Sequence, residues 1–78
     1  MTAPLGLRKT LTIYRYLTGP DDVAFCHRVT KSLSEGWTLY GHPTLTFDAA
    51  KGRTICGQAI TKDVDGVDYS PELDLSAQ

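Results

Sequence analysis

The 78-residue chain has no basic residue after Lys62, only two cysteines, and no apolar run of the roughly 18 residues that a membrane span requires. It also lacks a basic segment leading into an apolar one at its start, so neither a span nor a conventional signal peptide is expected. A cytoplasmic setting follows as the expectation. Cys26 and Cys56 both sit inside hydrophobic patterns, which predicts two buried thiols rather than a disulfide staple. The turn Thr18-Gly19-Pro20 has neither the repeated glycines nor the lysine of a phosphate loop, so no nucleotide cofactor is expected.

What is present is the composition of an ordinary globular domain, 41% hydrophobic and 22% charged, outside the range of disordered chains. A chain this short forms one domain and hides only about 60% of its unfolded surface, so its core must be small. The net charge is −1, unevenly placed. All the Lys and Arg residues lie within residues 1–62, whereas the last sixteen residues carry Asp63, Asp65, Asp68, Glu72 and Asp74 with nothing basic. Such a tail either solvates the chain end or lies across the basic body.

Residues 1–9, with Pro4 and Gly6, read as an irregular arm. Alternation predicts a first strand over Thr10 to Leu17, with Leu11, Ile13, Arg15 and Leu17 on one side and Thr12, Tyr14 and Tyr16 on the other. A helix is predicted from Pro20 to Glu35, because Pro fits a first turn and Asp21 and Asp22 suit its exposed N–H groups. Its stripe would be Phe25, Cys26, Val29 and Leu33, with Arg28, Lys31 and Glu35 toward water and Gly36 closing it. A second strand begins at Trp37 and is interrupted by Gly41-His42-Pro43, so it is either one bent strand or two short ones. Asp48 to Gly52 reads as a hairpin connection into a third strand over Arg53 to Lys62.

The expected class is therefore α+β: one β-α-β-β domain over residues 10–63 with a three-stranded mixed sheet, one helix on one face, and an acidic, flexible tail over residues 64–78. Strand three belongs either in the centre or at an edge. The centre is preferred because small Gly57 and Ala59 would suit a place beneath the helix, leaving room for the Trp37 indole. The uncovered face would then present Tyr14, Tyr16, Tyr40 and Ile60 or their neighbours. Homo-oligomerisation through that face is expected unless the arm or tail covers it.

Chemistry is less visible. Cys26, His27, His42 and Cys56 show no compact metal-ligand spacing, so no metal is expected. Cys56, placed with the tyrosines by parity, has no oxyanion donors that can be named beside it, and Asp21-Asp22 reads as a helix cap. The stretch from Asp63 to Asp68 fails as a calcium loop, since Gly66 is fourth where a sixth-position glycine is needed. Basic residues are spread over several elements, so a nucleic-acid partner is not expected. No catalytic set and no cofactor emerge.

The run Tyr14-Arg15-Tyr16-Leu17-Thr18-Gly19-Pro20-Asp21-Asp22, then Phe25-Cys26-His27-Arg28-Val29, Gly36-Trp37-Thr38-Leu39-Tyr40-Gly41 and Gly57-Gln58-Ala59, resembles a small family of bacterial proteins of unknown function. The resemblance covers roughly Tyr14 to Val64 and implies a compact bacterial domain without supplying an activity. It directs attention to Arg15, Thr18, Asp22, His27, Trp37, Tyr40, His42 and Gln58 as candidates for a shared site; with the tyrosines of the uncovered face, the candidate ligand or interface residues are Tyr14, Arg15, Tyr16, His27, Tyr40, His42 and Gln58. The leading expectation is a self-associating structural or protein-interaction module, more plausibly not an enzyme. The alternative is a small-molecule binding module or minor enzyme whose site, using His27, His42, Tyr40 and Gln58, forms at a subunit boundary.

Overall fold

The computed structural model describes residues 10–78. The irregular arm expected over residues 1–9 lies outside the described residues. Strand β1 spans Thr10–Pro20, helix α1 Val23–Ser34, strand β2 Thr38–Asp48 and strand β3 Arg53–Asp65, and a short 3-10 turn follows at Leu75–Ala77. The sheet order is β1-β3-β2, with β3 antiparallel to both neighbours. β1 and β2 thus run parallel to one another on either side of β3, as a crossover through one helix followed by a hairpin requires. This is the expected β-α-β-β domain, with β3 in the centre.

Boundaries shift where turn residues turn out to be ladder residues. β1 continues past Leu17 because Gly19 and Pro20 pair with Cys56 and Ile55, and the Asp21 N–H donates to the Thr54 carbonyl at 3.1 Å. The helix consequently starts three residues later than Pro20 suggests. Asp22 is its cap, accepting the Phe25 N–H at 3.2 Å on its carboxylate. The other end closes as a Schellman motif: the Trp37 N–H reaches the Ser32 carbonyl at 3.1 Å and the Gly36 N–H reaches that of Leu33 at 3.2 Å. Gly36 sits at φ 98°, a conformation with no cost only for glycine, and this turn aims Trp37 back under the helix.

β2 is one continuous strand with a bulge, its register shifting between Tyr40 and Thr44. Gln58 of β3 repairs the gap. Its Nε2 donates to the carbonyls of Tyr40 at 3.3 Å, Gly41 at 3.4 Å and Ala59 at 2.9 Å.

The core is Ile13, Leu17, Trp37 and Ile60, the last fully enclosed. Phe25 and Val29 of the helix pack against it, and so do Leu73 and Leu75 of the C-terminal segment. That segment lies on the helix side of the sheet, where the Leu75–Ala77 turn contacts β1.

Three expectations of side are corrected by the register. Ile60 pairs with Arg15 and Leu39, which places it on the helix face and not among the tyrosines. Gly57 and Ala59, by the same parity, lie on the tyrosine face and make room for Tyr16 instead of Trp37. Cys56 shares the helix side, its Sγ 3.5 Å from the Gly19 carbonyl. The helix stripe is also rotated. Phe25 and Val29 face inward as expected, but Ser32 is buried in place of Leu33, its hydroxyl satisfied by the Arg28 carbonyl at 3.1 Å. Cys26 is exposed and Cys56 half-buried, and both are free thiols rather than a buried pair.

Candidate functional site

Three surfaces carry side chains not consumed by folding. The first is the open face of the sheet, opposite the helix. Tyr16, Ala59 and Tyr40 form one row across all three strands, and Tyr14, Thr61 and Thr38 form the next. The three tyrosines are all exposed, Tyr40 the most. Tyr16 leans across the sheet, its hydroxyl hydrogen-bonding the Thr44 hydroxyl of the far strand, directly above Gly57. A Cβ at Gly57 would lie 2.6 Å from the Tyr16 Cζ, so the glycine is the seat of this ring. Toward the other end the face becomes acidic, with Thr12 donating to Asp63 at 2.6 Å and Thr10 to Asp65 at 3.0 Å.

The second surface is β2 with the groove it forms against α1. Leu39, Leu45 and Phe47 pair with Ile60, Cys56 and Thr54 and so point to the helix side. The helix does not reach the hairpin end, leaving Leu45 66% and Phe47 64% exposed. Nearer the helix, Phe25, Val29, Leu39 and Pro43 line an apolar groove of about 290 Å³ over Gln58. Gln58 is 5% exposed, and its Oε1 accepts no hydrogen bond among the described residues. Among those residues nothing pairs with the outer edge of β2.

The third surface is a cleft of about 220 Å³ between β1, α1 and the C-terminal turn, lined by Arg15, Arg28, Lys31, Ser32, Glu35 and Ser76 among others. Arg15 stands over the Trp37 ring at 5.4 Å, and Lys62 stands 5.9 Å from the same ring while donating to the Gln78 carbonyl. Arg28 donates to the Thr18 carbonyl at 2.7 Å, tying helix to strand. Asp74 holds the C-terminal turn in shape by accepting the Ser76 hydroxyl at 2.7 Å and its N–H at 3.1 Å. Those bonds, with a smaller contribution from the Arg15 charge, lower its pKa below the usual carboxylate range. Burial, followed by the nearby Asp21 carboxylate, raises that of Cys56.

The candidate residues therefore do not converge on one site. Tyr14, Tyr16 and Tyr40 come together on the open face, while Arg15 lies on the opposite side against Trp37. Gln58 underlies the groove and braces the bulge that contains His42; His42 and His27 are both exposed. Sequence reasoning passed over Leu39, Leu45 and Phe47, although their alternation was legible, because a strand predicted to lie in a sheet is read as covered. It also passed over Ser76, for which no local signal existed. Among the described residues no group of three or more His, Cys, Asp or Glu side chains is placed to hold a metal, and no helix is long and apolar enough to cross a membrane.

Comparison with curated proteins and with solved structures found no match for the chain. A family model does match, over residues 11–63, from the start of β1 to the last turn of the ladder in β3 and more than half of the sequence; the chain belongs to the family described as Domain of unknown function (DUF1737).

Proposed function

We propose that this protein is a self-associating interaction module of the cytoplasm, in which the open edge of β2 pairs with β2 of a second copy. The observation that carries the reading is the state of β2 itself. It is an eleven-residue edge strand with large apolar side chains exposed on both faces, Leu39, Leu45 and Phe47 on one and Tyr40 on the other. Edges of this kind template pairing with another chain unless they are blunted, and here the bulge and Pro43 interrupt only the stretch between Tyr40 and Thr44, leaving Thr44 to Asp48 regular. A core of four buried apolar residues among those described adds a reason to gain further burial by association. Two unbridged cysteines are consistent with a reducing compartment.

Amide hydrogen exchange at two protein concentrations tests this. The β2 amides on the outer edge should gain protection as concentration rises, while those of β1 and α1 stay constant. Protection that rises on β1 while the outer-edge amides of β2 stay constant would contradict the edge and favour the open face.

A small-molecule site is the second reading, and one observation favours it: the apolar groove has at its floor a buried amide whose Oε1 accepts no bond among the described residues. A Gln58→Leu variant that keeps its fold but loses binding of a small apolar donor such as indole would support that reading.

A further inference from the structure

The cleft beside Trp37 is independent of β2 and has the opposite chemistry from the apolar groove. Its cations come from two elements, Arg15 from β1 and Arg28 and Lys31 from α1. Arg15 is half-buried, and its guanidinium makes no hydrogen bond among the described residues; it stands over the Trp37 ring and its charge acts weakly on Asp74. Arg28 spends one N–H on the Thr18 carbonyl and keeps the remainder of its fork. Lys31 is 77% exposed and among the described residues meets the Glu35 carboxylate at 3.8 Å, a pair too exposed to neutralise it firmly. Ser76, delivered by the C-terminal turn, closes the far wall. Two carboxylates oppose this charge, Glu35 in the wall and Asp74 just behind Ser76, and Asp74 is engaged by its own turn.

We infer that this cleft binds a small phosphate-bearing molecule, the phosphate oxygens taking the guanidinium N–H groups of Arg15 and Arg28 and the Lys31 ammonium, while the Ser76 hydroxyl stays with Asp74. Arginine forks match an oxyanion with two parallel bonds, and a half-buried guanidinium with unused donors gains more from such a partner than an exposed one does. The C-terminal turn completes the cleft, so the docking of its segment on the core gives a binding wall as well as core contacts.

The test is an NMR titration of the full chain with inorganic phosphate, matched in ionic strength with sodium chloride, followed at the Arg Nε–H signals and the Ser32 and Ser76 amides. Saturable shifts confined to the cleft are expected. Arg28→Gln should weaken binding about tenfold, the loss of one charge-assisted bond. Lys31→Gln, at an exposed position that leaves the fold unchanged, should weaken it about threefold, and Glu35→Gln should tighten it about twofold by removing an opposing charge. Shifts no larger than those from chloride would overturn the proposal, as would equal affinities in the Lys31 and Glu35 variants. Acetate binding at the same residues more tightly than phosphate would overturn the assignment to phosphate.

Discussion

β2 and β3 are two arms of one hairpin with comparable apolar content, yet they have opposite fates. β3 lies between two strands beneath the helix and contains the fully enclosed Ile60 and the buried Gly57 and Gln58. In β2 only the last residue, Asp48, is even half-buried. Position in the sheet, and not residue type, makes the difference: a central strand is covered by its neighbours, while an edge strand is covered only by what docks on it. The helix and the C-terminal segment both pack on the core around Trp37, while Leu45 and Phe47 near the hairpin stay exposed. One half of the molecule closes on itself, and the other leaves large apolar side chains exposed.

The largest way to break that contrast is to remove the centre of the closed half. Trp37→Ala should cost about 3–5 kcal/mol in denaturant unfolding at fixed protein concentration, the range for deleting a buried aromatic. A loss below about 1 kcal/mol would mean that Trp37 does not organise the core. Next comes the open face. Gly57→Val puts side-chain atoms where the Tyr16 ring lies and should cost about 1–3 kcal/mol, most of it recovered in the double variant with Tyr16→Ala, which a double-mutant cycle would measure.

Smaller effects sharpen the boundary between the halves. Asp22→Ala should lose about 1 kcal/mol of stability in thermal or chemical unfolding through the uncapped first turn of α1. The C-terminal turn should respond to acid. Because the folded Asp74 pKa is lowered, its stabilising contribution is present above the ordinary carboxylate range and is lost as pH falls through the lower folded value. Trp37 fluorescence should therefore report loosening of Leu73 and Leu75 at acid pH in the native chain, with the change absent in Asp74→Asn.

Much of the fold was legible in sequence because its signals are local. Gly36 followed by Trp37 marks a helix closure, alternation from Thr10 to Leu17 marks a strand, and Asp48 to Gly52 marks a hairpin. The central place of β3 followed from the small size of Gly57 and Ala59, although the reason was inverted: they make room for Tyr16 on the open face, not for Trp37 under the helix. Which residues face which side depends on cross-strand register, so the side of Ile60 and Cys56 could not be read from β3 alone. Ser32 hid from a hydropathy stripe because its burial depends on a bond to the Arg28 carbonyl. The exposure of Leu45 and Phe47 was hidden for a related reason: sequence records that a strand is apolar, while the extent of the helix over it is a property of the assembled fold.

The most direct test of the open β2 edge is absolute mass by light scattering over a tenfold dilution, on the native chain and on Phe47→Lys. The account predicts twice the 8.5 kDa chain mass at high concentration for the native protein, falling on dilution, and a single-chain mass throughout for the folded variant. A native protein of single-chain mass at every concentration, or a variant that still assembles, would contradict it.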